Sequence, residues 1–333
     1  MSRTTVELCA GGGGQALGLQ RAGYRHLALV EINKHAFKTL CRNFNIAHVE
    51  KADIKAWEPK PEFQHCDLLA AGLPCPPFSQ AGKQLGSRDD RNLFPAFIGH
   101  VRRLQPKAFM IENVEGFLSK TFETFRRDVT RQFEDLGYCV DMCVFDAADF
   151  GLAQRRRRVV IVGMRHVYAK HFKWPVPPNT RQTVGAALVD LMAANNWEGA
   201  HEWACNADQP GPTVVGGLTT HGGVDLNLSA SRRSWAELGV NSKSFANHAP
   251  SQGFKGKPRL TLDMVKRLQG LPDSHRFSGG KNSRYRQIGN AFPPVIAEAI
   301  AREITKALDI GERCMQQIEW LATPPQRCVT EPA

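Results

Sequence analysis

The sequence predicts a doubly wound, mainly parallel α/β domain with a second, smaller and irregular domain set into its later half. Three observations carry that prediction. Short apolar runs bounded by turn residues alternate with amphipathic helical stretches through the first half of the chain. The first run opens into a glycine loop and then directly into a helix, the start of a βαβ unit. From about Tyr168 to Pro258 the texture changes to Gly, Pro, Asn, Ser and Thr, with no sustained helical period after Met192. The expected divisions are residues 1–167, 168–258, a return to regular helices over 259–310, and a tail over 311–333.

Taken in order, Val6 to Cys9 reads as a buried strand, Ala10-Gly11-Gly12-Gly13-Gly14 as the loop, and Gln15 to Ala22 as a helix stopped by Gly23. A second strand, Leu27 to Val30, ends in Glu31, about twenty positions beyond the loop, where an acidic residue meets the hydroxyls of a ribose. A nucleoside-containing cofactor follows from that pair of features. The apolar run Leu68 to Ala71 leads into Gly72-Leu73-Pro74-Cys75-Pro76-Pro77-Phe78-Ser79. Proline fixes its own φ and holds the preceding residue extended, so Cys75 sits in a rigid loop that presents its thiol. The polar stretch Ser79 to Arg91 is long enough to act as a lid, and a helix runs from about Leu93 to Leu104. The strand Ala108 to Ile111 runs into Glu112-Asn113-Val114, which puts a carboxylate at a strand's carboxyl end, where open α/β sheets bind ligands. Next come a helix, Glu123 to Leu136, and a strand, Cys139 to Phe145. Cys139 and Cys143, at even spacing, are expected to share one face and pack in the core. Arg155 to Arg158 opens the strand Val159 to Val162. Later, Thr261 caps a helix ended by Gly270, and Pro293 starts a long one.

A chain of 333 residues with a net charge of +11 has room for two domains and favours a polyanionic partner, nucleic acid first. No apolar run approaches the roughly 20 residues that span a bilayer, and no signal-peptide pattern precedes the first strand, so a cytoplasmic protein is expected. Nine scattered cysteines suit reduced thiols better than a disulfide framework, and none shows metal-ligand spacing, so no metal is expected.

Six blocks in order carry a likeness to a known family: Glu7 to Gly14, Gly72 to Ser79, Glu112-Asn113-Val114, Gln154 to Arg158, Arg267 to Pro272, and Arg286 to Ala291 followed by Pro293-Pro294. On these the chain resembles the DNA (cytosine-5) methyltransferases over nearly its whole length. The resemblance implies a Rossmann-like fold and S-adenosyl-L-methionine as methyl donor. It implies cofactor contacts from Cys9, Ala10, Gly11, Gly13, Gly14, Glu31, Ile32, Asp53, Ile54, Leu93, Asn290 and Ala291. It further implies Cys75 as the nucleophile that adds to carbon 6 of a flipped-out cytosine, Glu112 at N3, and Arg158 at O2 with Arg156 supporting it. By analogy residues 168–258 form the target-recognition domain on double-stranded DNA, with Ser79, His221, Arg232 and Arg233 as DNA contacts and Asn206, Thr219, Thr220 and Ser244 as further polar candidates. A monomer of bacterial or phage type with no obligatory protein partner is expected. Three departures stand out, one of them Pro76 where the family commonly has Gln after the catalytic Cys. The family usually has Phe where Cys9 stands and Asp where Glu7 stands. A transfer-RNA cytosine-5 methyltransferase shares these motifs, and a nicotinamide-dependent oxidoreductase shares the glycine loop and Glu31; the latter gives Cys75, Glu112 and the arginine run no role.

Overall fold

A computed structural model describes residues 2–45, 48–74, 92–216 and 229–322. The chain begins with β1 (Thr4–Leu8), α1 (Gly14–Arg21), β2 (Arg25–Val30), α2 (Lys34–Asn43), β3 (Val49–Glu50) and β4 (Leu68–Gly72). It continues through α3 (Phe94–Leu104), β5 (Ala108–Val114), α4 (Glu123–Glu134), β6 (Tyr138–Asp146), β7 (Arg157–Arg165) and α5 (His166–Ala169). The later helices are α6 (Val184–Ala193), α7 (Ala200–Asn206), α8 (Ser229–Glu237), α9 (Leu262–Leu268), α10 (Lys281–Asn290) and α11 (Pro294–Ala322).

The strands form one sheet in the order β3-β2-β1-β4-β5-β7-β6. β1 to β5 pair in parallel, whereas β7 runs antiparallel to both β5 and β6. Alternate residues of each central strand enter different cores, because successive side chains leave a strand on opposite faces. Val6, Leu8, Leu69, Ala71, Phe109, Ile111, Val159 and Ile161 pack with Phe97, Val101 and Leu104 of α3 and Phe133 of α4. Leu68, Ala70, Ala108, Met110, Val160 and Val162 pack on the other face, with Leu19 of α1 and Ile296, Ile300, Ile304 and Leu308 of α11. Burial on both faces is why these strands read as continuous apolar runs. A Cβ on Gly18 would overlap the backbone of Pro294 and the Ala297 side chain, so glycine there lets α1 lie against α11.

A third core holds Val184, Leu188 and Met192 of α6, Trp203 of α7, Trp235 of α8, Met264, Val265 and Leu268 of α9, and Tyr285 and Ile288 of α10. Tyr168, where the texture changes, packs instead in the α11 core with Phe172 and Trp174 against it. Thr261 caps α9 through its hydroxyl, and Gly270 closes the turn after it with φ at 74°.

Three expectations need correction. α7 and α8 are helices within the stretch expected to lack them; each is short and held by one tryptophan, Trp235 being fully buried. Cys139 is exposed, its sulfur 3.0 Å from His166 Nδ1, and Cys143 is only partly buried, because β6 is the edge strand. The long last helix runs on past Leu308. Its continuation is structural: Glu312 accepts from Arg3 at 2.7 Å and from Lys107 at 2.6 Å, and both cations also hold Asp67, at 3.0 and 2.8 Å. Among the described residues no helix is long and apolar enough to cross a membrane.

Candidate active site

The glycine loop leaves the carboxyl end of β1 by a sharp turn. Cys9 and Gly11 have φ of 53° and 55°, and Gly13, the residue before α1, has φ of 85°. At Gly13 a side chain is excluded twice, by this left-handed backbone and by the Phe44 ring that a Cβ would strike. Beneath the loop Glu7 is buried at the amino end of α1, close to the Ala16 amide, with His26 Nε2 3.7 Å away. A carboxylate there meets the positive end of the helix dipole. Burial nonetheless pushes its pKa up, against the opposing pull of His26.

Glu31 stands beside the loop with its orientation fixed. Its Oε2 accepts from the Gly11 amide at 2.8 Å and its Oε1 from the Asn33 amide at 2.7 Å. Burial raises its pKa, while the amides of Asn33, Gly11 and Ile32 favour the charged form. Next to it Ile32 is 61% exposed, an apolar side chain without a core to enter. Asp53 is exposed, with Oδ1 accepting from the Lys55 amide, whereas Ile54 is buried in the core of the α3 face. Ala10 is buried, Gly14 begins α1, and Leu93 is the half-buried residue before α3. Asn290 is exposed at the end of α10, and Gly216 approaches it so closely that a Cβ on Gly216 would overlap its amide.

Glu112 lies directly opposite Gly72 across β4 and β5, and a Cβ on Gly72 would be 3.9 Å from its Oε2. Because β7 runs against β5, its first residues stand at the sheet's carboxyl edge. Arg158 is therefore opposite Val114, diagonal to Glu112, and its Nε meets Glu112 Oε1 at 2.8 Å. Arg158 Nη1 donates to the Arg157 carbonyl. Burial raises the Glu112 pKa; the charges of Arg158 and Arg156 oppose it. The Cys9 thiol is also pushed up, by burial and then by Glu31, Asp53 and Glu7, which disfavours its thiolate.

Arg156, expected to support Arg158, acts on Glu112 through its charge and is tied to the backbone of other segments. It is fully buried; its Nη1 donates to the Val214 carbonyl at 2.7 Å, and its Nη2 to the carbonyls of Gly289 at 2.8 Å and Ala291 at 3.0 Å. It holds the Val214 segment, within residues 168–258, against the end of α10. Gln154 joins the same pieces, donating to the Leu268 carbonyl and accepting from the Val214 amide. Gln154 lies in a block singled out for its arginines; its uncharged type, one residue before the basic run, is the only signal it gave. His275, also missed, bonds the Gly12 carbonyl through Nε2 at 2.9 Å. Arg232 and Arg233 are exposed on α8, Arg233 pairing with Glu237. Asn206 is exposed, and Ser244 accepts from Arg259. Cys75, Ser79, Thr219, Thr220 and His221 lie outside the described residues, as does the stretch from Ser79 to Arg91.

A buried carboxyl paired with a half-buried guanidinium at the carboxyl edge, beside a glycine loop with a fixed acidic partner, is the arrangement in which open α/β sheets bind ligands. The family model for C-5 cytosine-specific DNA methylases matches residues 3–306, and the chain belongs to that family. It is a DNA cytosine-5 methyltransferase. It is 45% identical over 336 residues to the Type II methyltransferase M.NaeI of Lentzea aerocolonigenes, covering 99% of this chain and 81% of that one. It is 46% identical over 313 residues to the Type II methyltransferase M.NgoMIV of Neisseria gonorrhoeae, covering 92% and 99%. Among solved structures, a candidate DNA modification methyltransferase from an E. coli prophage superposes with a TM-score of 0.65 at 21% identity, over 92% of this chain and all of that one. A mutant of Spodoptera frugiperda DNMT2 gives 0.63 at 16% identity, over 91% of this chain and 100% of its own. The last two show the fold alone.

Proposed function

We propose that this enzyme methylates a cytosine within a specific DNA sequence, that the base is flipped out of the duplex, and that Cys75 is the nucleophile. S-adenosyl-L-methionine, when bound, supplies an electrophilic methyl group. The fixed Glu31 carboxylate suits a ribose diol, the exposed Ile32 suits an apolar ring face, and the glycine loop admits a ligand close to the backbone. Carbon 5 of cytosine is a poor nucleophile, so the ring needs a soft nucleophile added at carbon 6, and a thiolate is the best side chain for that. Addition builds negative charge on the ring. Glu112 offers a proton to N3 through Oε2 while Arg158 anchors Oε1 and turns its remaining guanidinium nitrogen to O2. Once carbon 5 carries the methyl group, its proton passes to water, the electron pair re-forms the 5,6 double bond and the thiolate is expelled, while N3 returns its proton to Glu112. A stacked base admits none of these contacts, which is why it has to leave the helix.

The observation that carries this reading is the Glu112–Arg158 pair opposite Gly72, three residues before Cys75. Residues 168–258 are the proposed sequence reader, with Arg232 and Arg233 on DNA phosphates. The Type II character of the two relatives supports a site-specific modification role. In the test, Cys75→Ser abolishes transfer of labelled methyl groups to duplex DNA while cofactor and DNA binding persist, since an alcohol is far less ionised than a thiol near neutral pH. Retention of a tenth or more of wild-type turnover overturns the assignment.

A further inference from the structure

A cavity of about 420 Å³ opens between the carboxyl end of α2, α9 and the connection from α9 into α10. Its lining includes four cationic side chains, Arg42, Lys266, Arg276 and Arg284, against one carboxylate, Asp263. Lys266 is 5% exposed and already committed, donating to Asp263 Oδ1 at 2.9 Å and to the Asp273 carbonyl at 2.8 Å. The three arginines are exposed residues, and among the described residues none of them has an ion-pair partner. They come from three separate elements: the last turn of α2, the α9–α10 connection and α10 itself. Guanidinium groups brought together around one opening repel unless an anion lies between them, and a phosphate, which takes paired N–H bonds, fits their planar fork.

The cavity stands apart from the candidate active site yet touches it. His275 in its wall bonds the Gly12 carbonyl of the glycine loop. Arg284 lies six residues before Asn290 on α10, about 9 Å along the helix axis.

We propose that this cavity is a phosphate-binding site. Resting on the DNA reading above, its source is the backbone of the strand beyond the base pairs being read; a free polyphosphate offers the same chemistry and is separated by the test. The exposed arginines at its rim and a chain charge of +11 favour the strand.

The test uses the full chain and the double variant Arg276→Gln/Arg284→Gln. Both residues are exposed, and a thermal melt coincident with wild type confirms folding. DNA affinity is measured over a salt series with a duplex confined to the target site and with one about three turns longer. The expected result is that, on the long duplex, the slope of log K against log salt falls by about 1.8, at about 0.9 for each phosphate that the variant no longer neutralises, and affinity drops about tenfold. The short duplex binds the two proteins alike and is methylated by both. Unchanged DNA slopes with inorganic tripolyphosphate binding abolished in the variant make the source a free polyphosphate. Unchanged slopes and unchanged tripolyphosphate binding overturn the site. Failure of wild type to methylate the short duplex instead strikes the catalytic reading.

Discussion

Replacing Arg156 by Met separates a structural arginine from a catalytic one. The guanidinium makes three hydrogen bonds to the carbonyls of Val214, Gly289 and Ala291, all within the interior. A hydrogen bond to a charged group contributes about 1.5–3 kcal/mol, but three made by one group do not add, because a single methionine relieves the buried charge while stranding the acceptors. The loss is therefore set at about 3–5 kcal/mol, above the about 1–3 kcal/mol of one stranded acceptor and below three counted independently. Against a native stability of about 5–15 kcal/mol, that is a large fraction. Urea unfolding followed by tryptophan fluorescence reads it directly, since Trp203 and Trp235 sit in the core that Arg156 ties down. With a slope of about 3 kcal/mol per molar, the midpoint falls by about 1–1.7 M. Arg156→Lys, which keeps a charge but cannot span three carbonyls, falls between the two. A shift under about 0.3 M, together with abolished methyl transfer, refutes the reasoning and returns Arg156 to the chemistry.

Three further outcomes follow from the site. Glu112→Gln lowers the single-turnover rate by about a hundredfold or more, because an amide delivers no proton to N3, and leaves DNA affinity nearly unchanged; an unaltered rate with collapsed DNA binding rules the acid role out. Glu7→Gln alters the dependence of stability on pH. Burial raises the Glu7 pKa in the folded state, so the folded chain binds the proton more tightly and wild type loses stability relative to the variant as pH rises above about 4.3; parallel stability curves for the two proteins contradict this. Exchanging residues 168–258 for the corresponding region of another family member moves the methylated sequence to the donor's, read by bisulfite sequencing of host DNA. A folded chimera that keeps the original sequence locates specificity in the remainder of the chain.

The sheet was legible because physics writes it twice. Strands buried on both faces must be apolar throughout, and Leu68 to Ala71 or Val159 to Val162 admit no other placement in an α/β chain. Glu31 and Glu112 were legible because each ends such a run, and a carboxylate at a strand's carboxyl end is where ligand chemistry sits. The hydrogen-bond partners of Arg156 were not legible. Four consecutive arginines look alike in sequence, and only the antiparallel course of β7 decides that Arg158 reaches Glu112 while Arg156 turns to three carbonyls far along the chain. α7 and α8 escaped for a related reason. Their few turns carry no repeating apolar face, and their helicity comes from Trp203 and Trp235 entering a core assembled from α6, α9 and α10. The exposed Cys139 shows the converse: spacing gave the shared face of β6, but not that the strand lies at the sheet's edge.

The packing of α11 on α1 and the central strands sets the order of events during synthesis. The face of the sheet formed by Leu68, Ala70, Met110 and Val162 is complete in sequence once β7 has been made, but the helix that covers most of it begins only at Pro294. At about 5–20 residues per second, the intervening chain takes about 6–26 s to emerge. For that interval a half-covered apolar sheet is attached to the ribosome, a surface suited to a chaperone and to self-association. A premature stop just before α11 therefore leaves every residue of the Glu112–Arg158 pair intact and still yields a chain bound for aggregation.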